Sequence, residues 1–371
     1  MLILACTALI TQAAANCAGW PAWDFFRTHL IVDGGRVLDP SDARRITTSE
    51  GQSYAMFFAL VANDRATFDK LSDWTDAALA QGNLGSHLPA WLWGLDAQGK
   101  GSVLDSNSAS DADLWLAYDL AEAGRLWHVP RYSAKARLLA RLILREESAD
   151  LPGLGRTLLP APVGFHPADN TWRLNPSYLP LPVLRRFATL DGASSWPEVL
   201  ASALHVIEGS APHGFSPDWV LYQAGQGFTT DTTTRGLGSY DAIRSYLWAG
   251  MANPRDEATG SLQRKLSSMI EATNTRGAPP ERVDTQTGQA EANDGPPGFT
   301  AAMLPLLIAL HDHVGEARQI ERLARQPAAP DAYFGQALSL FGQGWADDRY
   351  RFAPDGALMP AWSNCVRSHS R

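Results

Sequence analysis

Helix-length segments of two kinds alternate along this chain. Residues 55–62 (AMFFALVA) and 245–251 (SYLWAGM) are almost wholly apolar, whereas residues 133–147 (SAKARLLARLILREE) place apolar and charged side chains at helical spacing. A helix that is apolar on every side must be buried on every side, while an amphipathic helix needs burial on one face only. The pattern therefore predicts an all-α fold in which an inner layer of helices is wrapped by an outer layer, the plan of an α/α toroid.

The apolar periodicity predicts about eleven helices, separated by Gly, Pro, Asn or Asp turns. They cover residues 51–63, 67–81, 112–124, 133–147, 177–190, 195–209, 240–252, 261–273, 300–313, 315–325 and 331–343. Strand-type alternation is scarce, and there is no Gly-rich phosphate loop. No linker or low-complexity tract divides the series, so residues 17–371 are predicted to form one catalytic domain.

Two stretches rich in Pro and Gly, residues 150–173 and 274–298, interrupt the helical pattern. Long loops on a helical scaffold often build the binding face, and these two are expected to include short strands. The alternative is that they are surface loops without a function.

The first 15 residues, MLILACTALITQAAA, combine an apolar run with small residues, but they lack a basic start. This pattern is typical of the apolar region and cleavage zone of a secretory signal. Residues 1–16 are therefore predicted to be a signal peptide, either truncated or read from a start codon assigned too far downstream. The mature chain would begin near Asn16 or Cys17 and act in the periplasm or outside the cell. A run this short is poorly suited to span a membrane, so no membrane span is expected in the mature chain.

Of the three cysteines, Cys6 falls in the predicted signal, while Cys17 and Cys365 stand near the two ends of the mature chain. Export and this placement predict a disulfide between Cys17 and Cys365, and the alternative is two unpaired thiols. No Cys/His arrangement argues for a metal, and no cofactor is implied. The net charge of −8 and the absence of a Lys/Arg block argue against a nucleic acid or an anionic membrane surface as partner.

Three carboxylates share one local pattern. Glu50 (TTSEGQSYAM), Asp111 (SNSASDADLW) and Asp241 (LGSYDAIRSY) each follow a serine within two residues and open a helix-like apolar stretch. Such a serine predicts a helix N-cap, which places the acids on the first turns of three helices. If these helices begin at one cavity, the acids form the carboxylate cluster that glycosidic bond hydrolysis requires. The alternative is that each acid only complements a helix dipole.

Two further features of the sequence bear on this cluster. Ser110-x-x-Asp113 fits a capping box, so Asp113 is predicted to be structural, which leaves Asp111 without a structural task. Trp91 and Trp93 in LPAWLWG lie beside Pro and Gly rather than on a helical stripe, as sugar-stacking platforms often do. For both tryptophans the alternative is packing in the core.

These segments together resemble glycoside hydrolase family 8. Residues 108–127, SASDADLWLAYDLAEAGRLW, are similar to the family signature, in which Ala-Ser/Thr-Asp-Ala/Gly-Asp opens a helix. The blocks TSEGQSY and SYDAIR resemble two other conserved segments of that family. The likeness runs from about Trp20 to Cys365 through WPAWDFF, LPAWLWG, LDSNSASDAD, NPSYLP, GFTAAMLP and SLFGQGW. It points to secreted members encoded with bacterial cellulose synthases.

The resemblance implies an (α/α)6 barrel and an inverting endo-β-1,4-glucanase. By motif position it implies that Glu50 is the general acid, that Asp241 is the general base, and that Asp111 binds and distorts the sugar. It also implies supporting roles for Tyr178 and Arg244 and a stacking platform at Trp91. The implied partners are a β-1,4-glucan chain and a cellulose synthase complex.

The chemistry of inversion makes opposite demands on two carboxyl groups, because the acid must be protonated and the base ionised. The dipole of a helix start suits an ionised Asp241, which Arg244 could hold. It opposes a protonated Glu50, whose pKa would have to be raised by burial or by a neighbour such as Asp111. Xylan or chitosan hydrolysis on the same scaffold stays open, as does a non-catalytic glucan-binding component of a secretion complex.

Overall fold

Helices make up the framework of the structure, a computed structural model that describes residues 19–32, 34–253 and 255–368. The predicted signal peptide, residues 1–16, and Cys17 lie outside the described residues. Helices α1 to α14 span, in order, Pro21–Leu30, Ser49–Val61, Arg65–Leu79, Ser110–Leu126, Pro130–Glu146, Leu181–Leu190, Trp196–Gly209, Ile243–Met251, Glu257–Lys265, Ser268–Arg276, Pro297–Ala309, His313–Arg325, Tyr333–Ala346 and Trp362–Ser368.

Short antiparallel strands lie in the segments between the helices. Strands β1 to β15 span Ile31–Val32, Arg36–Val37, Thr47–Thr48, Leu92–Leu95, Gly101–Asp105, Ser148–Leu151, Gly155–Leu158, Thr171–Leu174, Val220–Gln223, Gly227–Thr230, Leu237–Gly238, Val283–Asp284, Gln289–Ala290, Tyr350–Phe352 and Leu358–Pro360. They form small sheets, of which three are three-stranded, in the orders β3-β4-β5, β10-β9-β8 and β11-β12-β13. The first of these sheets leads directly into α2, because β3 ends where that helix begins.

Six helices form a closed inner ring. They are α2, α4, α6, α8, α11 and α13, each in contact with the next, and α13 returns to α2. Every residue of α2 except Glu50 is buried, and α8 is buried along its whole length. The helices that read as apolar all round are thus the inner ones, as the sequence predicts.

The outer helices each cover one inner helix. Helices α3, α5, α7, α9 and α12 pack on α2, α4, α6, α8 and α11, and α1 packs on α13. In α5 the buried side chains are Tyr132, Ala136, Leu139, Ala140, Leu142 and Ile143, so one face is buried and the charged face is left to solvent. Six inner and six outer helices in this order form the predicted (α/α)6 barrel.

The boundaries differ from the prediction where proline and capping residues intervene. The predicted helix 177–190 begins only at Leu181, after a 3-10 turn at Pro176–Tyr178. Pro180 and Pro182 have no N–H to donate, so they fit only the entry and first turn of α6.

A second boundary differs in the region predicted as one helix over 261–273. It is split into α9 and α10, and α9 begins earlier because the Asp256 side chain caps it by accepting from the Ala258 N–H. Helices α1 and α14 and the hairpin β9-β10 are absent from the sequence prediction. The two Pro- and Gly-rich excursions do contain short strands, β7 and β8 in the first and β12 and β13 in the second.

The C-terminal helix α14 carries Cys365, which is disulfide-bonded. Since Cys17 is outside the described residues, the pairing of Cys17 with Cys365 stays a prediction. In the part of the chain that the structure describes, no helix has both the length and the apolar character that crossing a membrane requires.

Candidate active site

Glu50, Asp111 and Asp241 come together around the guanidinium of Arg244. Nη1 of Arg244 forms an ion pair with Oε2 of Glu50 and lies 3.6 Å from Oδ2 of Asp111. Nη2 donates to Oδ1 of Asp241 at 2.8 Å. The three acids come from the starts of α2 and α4, which are neighbours in the inner ring, and from the turn before α8, which lies further round the ring.

The local capping differs from the prediction at the first two acids. The Thr48 hydroxyl caps α2 by accepting from the Gly51 N–H at 3.0 Å, whereas Ser49 lies inside the helix. The N-cap of α4 is Ala109, with no side-chain cap, and the hydroxyl of Ser110 has no hydrogen-bond partner within the described part of the chain. The serine caps and the capping box at Ser110 were therefore wrong, although Glu50 and Asp111 do lie on first turns.

Asp241 is positioned by an aspartate that is distant in sequence. Oδ1 of Asp218 accepts the backbone N–H groups of Ser239 at 2.8 Å, Asp241 at 3.1 Å and Ala242 at 2.8 Å. The Ser239 hydroxyl, predicted to cap the helix, instead donates to the carbonyl of Glu281. Asp218 thus holds the turn that presents Asp241, and no local pattern in the sequence singles it out.

Arg244 is a buried cation whose partners compensate its loss of water. Its side chain is 3% exposed, and its Nη2 also donates to the Ser177 hydroxyl at 3.1 Å. Burial lowers the pKa of Arg244 to about 10, so the guanidinium stays charged at neutral pH. One such charge balances one carboxylate, and the three carboxyl groups around it cannot all ionise without a large electrostatic cost.

Two of the acids have raised pKa values, so they are less fully ionised at neutral pH and the site carries less negative charge. Burial, and to a smaller extent the charge of Asp241, raises the pKa of Asp111 to about 7, against the Ala112 N–H that stabilises the carboxylate. Burial and then the charge of Asp218 raise the pKa of Asp241 to about 7, although a side-chain hydrogen bond with Trp219 opposes the rise. The expectation that the helix start, with Arg244 beside it, leaves Asp241 readily ionised is corrected, because desolvation outweighs these effects and raises its pKa.

Glu50 contacts a cation and a hydroxyl group. It pairs with Arg244, and the Tyr333 hydroxyl donates to its Oε1 at 3.3 Å. Its side chain is 19% exposed. Tyr333 on α13 is a residue that sequence reasoning missed, because it stands 283 positions from the carboxylate it contacts.

The aromatic residues predicted for substrate binding lie in two places. The carbonyl of Trp91 accepts from the Ser49 N–H at 3.0 Å, and its side chain hydrogen-bonds Asp105, which orients the half-buried indole beside the start of α2. Trp93 packs edge-on against Trp74 with ring centroids 5.7 Å apart, whereas the backbone of Trp91 is hydrogen-bonded to Ser49, the residue before Glu50.

Tyr178 lies on the other side of the arginine. Its ring centre is 5.7 Å from Cζ of Arg244 and 5.8 Å from the ring of Trp219. Trp219 is covered in turn by the Arg173 guanidinium at 3.9 Å from its ring centre, and both residues were missed by the sequence reading.

Three buried aromatic rings pack beneath the cluster of charged groups. Glu50, Asp111 and Arg244 are each followed four residues later by Tyr54, Trp115 and Trp248, which are all buried. Residues four apart lie on one face of a helix, so the same face that carries each charge also carries a ring. The rings of Trp115 and Trp248 lie 5.3 Å apart, and each lies 6.2 Å from Tyr54. Water is excluded beneath the charged groups, which is why burial dominates the pKa values of Asp111 and Arg244.

Comparison with known proteins agrees with this geometry. The profile described as "Glycosyl hydrolases family 8" matches residues 1–348. A protein named "Endoglucanase" from Escherichia coli (strain K12) is 48% identical over 370 residues, covering 100% of this chain and 97% of that protein. Another "Endoglucanase", from Xanthomonas axonopodis pv. citri (strain 306), is 46% identical over 354 residues, 94% of this chain and 91% of that one.

A solved structure gives the same result for the fold. The crystal structure of endo-1,4-D-glucanase from Vibrio fischeri ES114 matches with a TM-score of 0.87 and 44% identity, covering 92% of this chain and 99% of that chain. The family profile spans most of the sequence, and the chain matches the two relatives named endoglucanase over 97% and 91% of their length. This chain therefore belongs to family 8 of the glycosyl hydrolases.

Proposed function

We propose that this glycoside hydrolase is an inverting endo-β-1,4-glucanase. The observation that carries the proposal is the cluster of Glu50, Asp111 and Asp241 around Arg244, since a pair of carboxyl groups at a cleft is the equipment of glycosidic bond hydrolysis. The relatives named endoglucanase support a glucan as the substrate class, and the related endo-1,4-D-glucanase from Vibrio fischeri supports the 1,4 linkage.

In the proposed mechanism Asp241 is the general base. Arg244 holds its Oδ1, and Oδ2, which takes part in no ion pair among the described residues, takes a proton from water. The backbone turn fixed by Asp218 sets where that oxygen points. With Asp241 acting on water, no covalent glycosyl-enzyme forms, and the anomeric carbon is inverted.

Glu50 is the proposed general acid, and it must be neutral when the glycosidic oxygen leaves. Its ion pair with Arg244 favours the carboxylate. A bound sugar chain that displaces water from the cleft adds desolvation, which favours the neutral form of a carboxyl group. Asp111, whose pKa is raised to about 7, carries a proton in a large share of molecules at neutral pH and donates it in a hydrogen bond to the sugar.

We also propose that the enzyme is exported and acts during bacterial cellulose synthesis, with a cellulose synthase complex nearby. The signal-like residues 1–16 and the disulfide at Cys365 support an oxidising compartment outside the cytoplasm. A purely glucan-binding role is less well supported, because the proposed acid, base and sugar-binding aspartate are all present.

The test compares soluble β-1,4-glucan, xylan and chitosan as substrates, with proton NMR of the earliest products. We expect β-glucan to be cleaved best and the new reducing end to appear first as the α-anomer, before mutarotation. Faster hydrolysis of xylan or chitosan would mean that this polysaccharide, and not β-1,4-glucan, is the substrate. An initial β-anomer would mean retention and would make Asp241 or Asp111 a nucleophile.

A further inference from the structure

Asp113 and Glu147 are two fully buried carboxyl groups that face each other behind the active site. Both are 0% exposed, and among the described residues neither takes part in an ion pair with Lys, Arg or His. Among the described residues no donor reaches either oxygen of Asp113 or Oε2 of Glu147, and the two side chains contact each other. An ionised carboxylate only accepts, so this contact is a hydrogen bond only if one group carries a proton.

The pair joins segments that converge on Asp111. Asp113 lies two residues after Asp111 in the first turn of α4, and Glu147 follows the end of α5. The Ser108 hydroxyl, in the segment that enters α4, donates to Oε1 of Glu147. The carbonyl of Glu147 also accepts the Leu159 N–H at 2.7 Å. The stretch from Ser108 to Asp113 is therefore tied to Glu147 at both ends, with Asp111 between them.

We propose that Asp113 and Glu147 share one proton and that this acid pair is a positioning device for Asp111, holding the segment that presents its carboxyl group to the cleft. The inference rests on the sugar-binding role proposed for Asp111. It replaces the capping role predicted for Asp113, whose side chain faces Glu147.

The charges around the pair make it sensitive to pH. Burial raises the pKa of both carboxyl groups, to about 8 for Glu147, and the charge of Asp111 adds to the rise at each of them. The Ser108 hydroxyl opposes the shift at Glu147, while Glu146 adds to it. Loss of the shared proton would leave two negative charges with no cation beside them, next to Asp111.

The sign of the linkage follows from these shifts. A carboxyl group has a pKa of about 4 in the unfolded chain, and in this pair the folded value is higher. The pair therefore contributes stability that is fully present below about pH 4 and is lost as the pH rises through about 8.

The test uses two substitutions of Asp113 that differ in one respect. In Asp113→Asn the amide always donates to Glu147 and so replaces the shared proton, while Asp113→Ala removes the contact. On soluble β-glucan we expect kcat to stay within about threefold of wild type in the first and to fall about 10- to 100-fold in the second, with a smaller change in KM, because a misplaced group costs turnover. Unchanged kcat in Asp113→Ala, or an equal loss in both variants, would overturn the proposal.

A second readout does not depend on activity. Urea unfolding at pH 5 and pH 8.5 should show wild type losing more stability than Asp113→Asn, since the amide cannot lose its proton. Equal losses would contradict proton sharing, even if Asp113→Ala fails to fold. A wild type without activity on β-glucan would contradict the proposed function and leave this comparison intact.

Asp119→Asn is the matched control. Asp119 is another fully buried carboxyl on α4, and it lies eight residues beyond Asp111, about 12 Å along the helix. Its substitution should alter the pH dependence of stability but leave kcat unchanged. A kcat loss equal to that of Asp113→Ala would mean that any change in the α4 core lowers turnover, and the positioning role would be rejected.

Discussion

At the scale of single residues, the charge balance of the site depends on Arg244. Its guanidinium reaches Glu50, Asp111 and Asp241, and its own burial makes it dependent on them. Three acids around one cation must differ in protonation state, and the surroundings of each decide which state it adopts. Glu50 has the ion pair and the Tyr333 hydroxyl, while Asp111 and Asp241 have raised pKa values.

Glu50→Gln keeps the shape of the side chain and removes its proton donation. We expect kcat on an unactivated glucan to fall by about 10²- to 10⁴-fold, the usual contribution of a positioned acid. Binding of cello-oligosaccharides, measured by calorimetry, should persist. Turnover close to wild type in this variant would reject Glu50 as the acid.

The pH dependence of turnover should follow the charges around Asp241. Asp218 raises the pKa of Asp241, so Asp218→Asn should lower it and move the acidic limb of the kcat/KM profile to lower pH. The Asn oxygen can still accept the three backbone N–H groups. Arg173 has the opposite effect on the pKa of Asp241, so Arg173→Gln should move the limb to higher pH. Shifts in the same direction would show that Asp241 does not control this limb.

At the scale of elements, glycines set how closely the inner helices approach. A Cβ added at Gly342 of α13 would lie 1.8 Å from the carbonyl oxygen of Ala301 in α11, and one at Gly250 of α8 would lie 2.2 Å from the Leu306 nitrogen. Backbone cannot yield as a flexible side chain can. These helices therefore pack backbone against backbone, and the residues at their starts are held at fixed separations.

Gly342→Ala should separate α13 from α11 and lower the free energy of unfolding by about 1–3 kcal/mol, the usual cost of overpacking. Gly260→Ala in α9 is the control, because its nearest neighbour is the end of the Arg264 side chain at 3.5 Å. Alanine is the better helix former, so that change should be neutral or add up to about 1 kcal/mol. Urea denaturation of both variants measures the difference, and equal effects would contradict the packing argument.

At the scale of the whole molecule, the ring closes because the first and last parts of the chain meet. Helix α1 covers α13, and the Trp362 indole of α14 donates to the Leu60 carbonyl of α2 at 3.0 Å. The barrel is complete only when both ends are in place. A link between the ends would therefore stabilise the entire domain.

The predicted Cys17–Cys365 disulfide would be such a link. Closing so long a loop restricts the unfolded chain and is worth about 2–4 kcal/mol. Mass spectrometry of the non-reduced, proteolysed exported protein should show the linked peptide, and Cys365→Ser should lower Tm. Free-thiol titration that finds both cysteines reactive in the native protein would reject the pairing.

The sequence by itself determined the two classes of helix and the family, and it singled out the three acids that the structure brings together around Arg244. These follow from local patterns, because a 3.6-residue period records which face of a helix is buried, and an acid at the start of an apolar stretch is visible without its neighbours. The predictions of serine N-caps were wrong because several residues near each helix start could cap it, and the sequence alone does not choose between them.

The tertiary structure alone decided which groups meet. Asp218 beside Asp241, Tyr333 on Glu50, and Asp113 against Glu147 join residues that are distant in the chain and have no shared motif. Their contacts exist only when the ring has closed, and burial in that closed ring sets the pKa values on which the chemistry depends. A local pattern records that a side chain is buried, but the identity of its neighbour is a property of the whole fold.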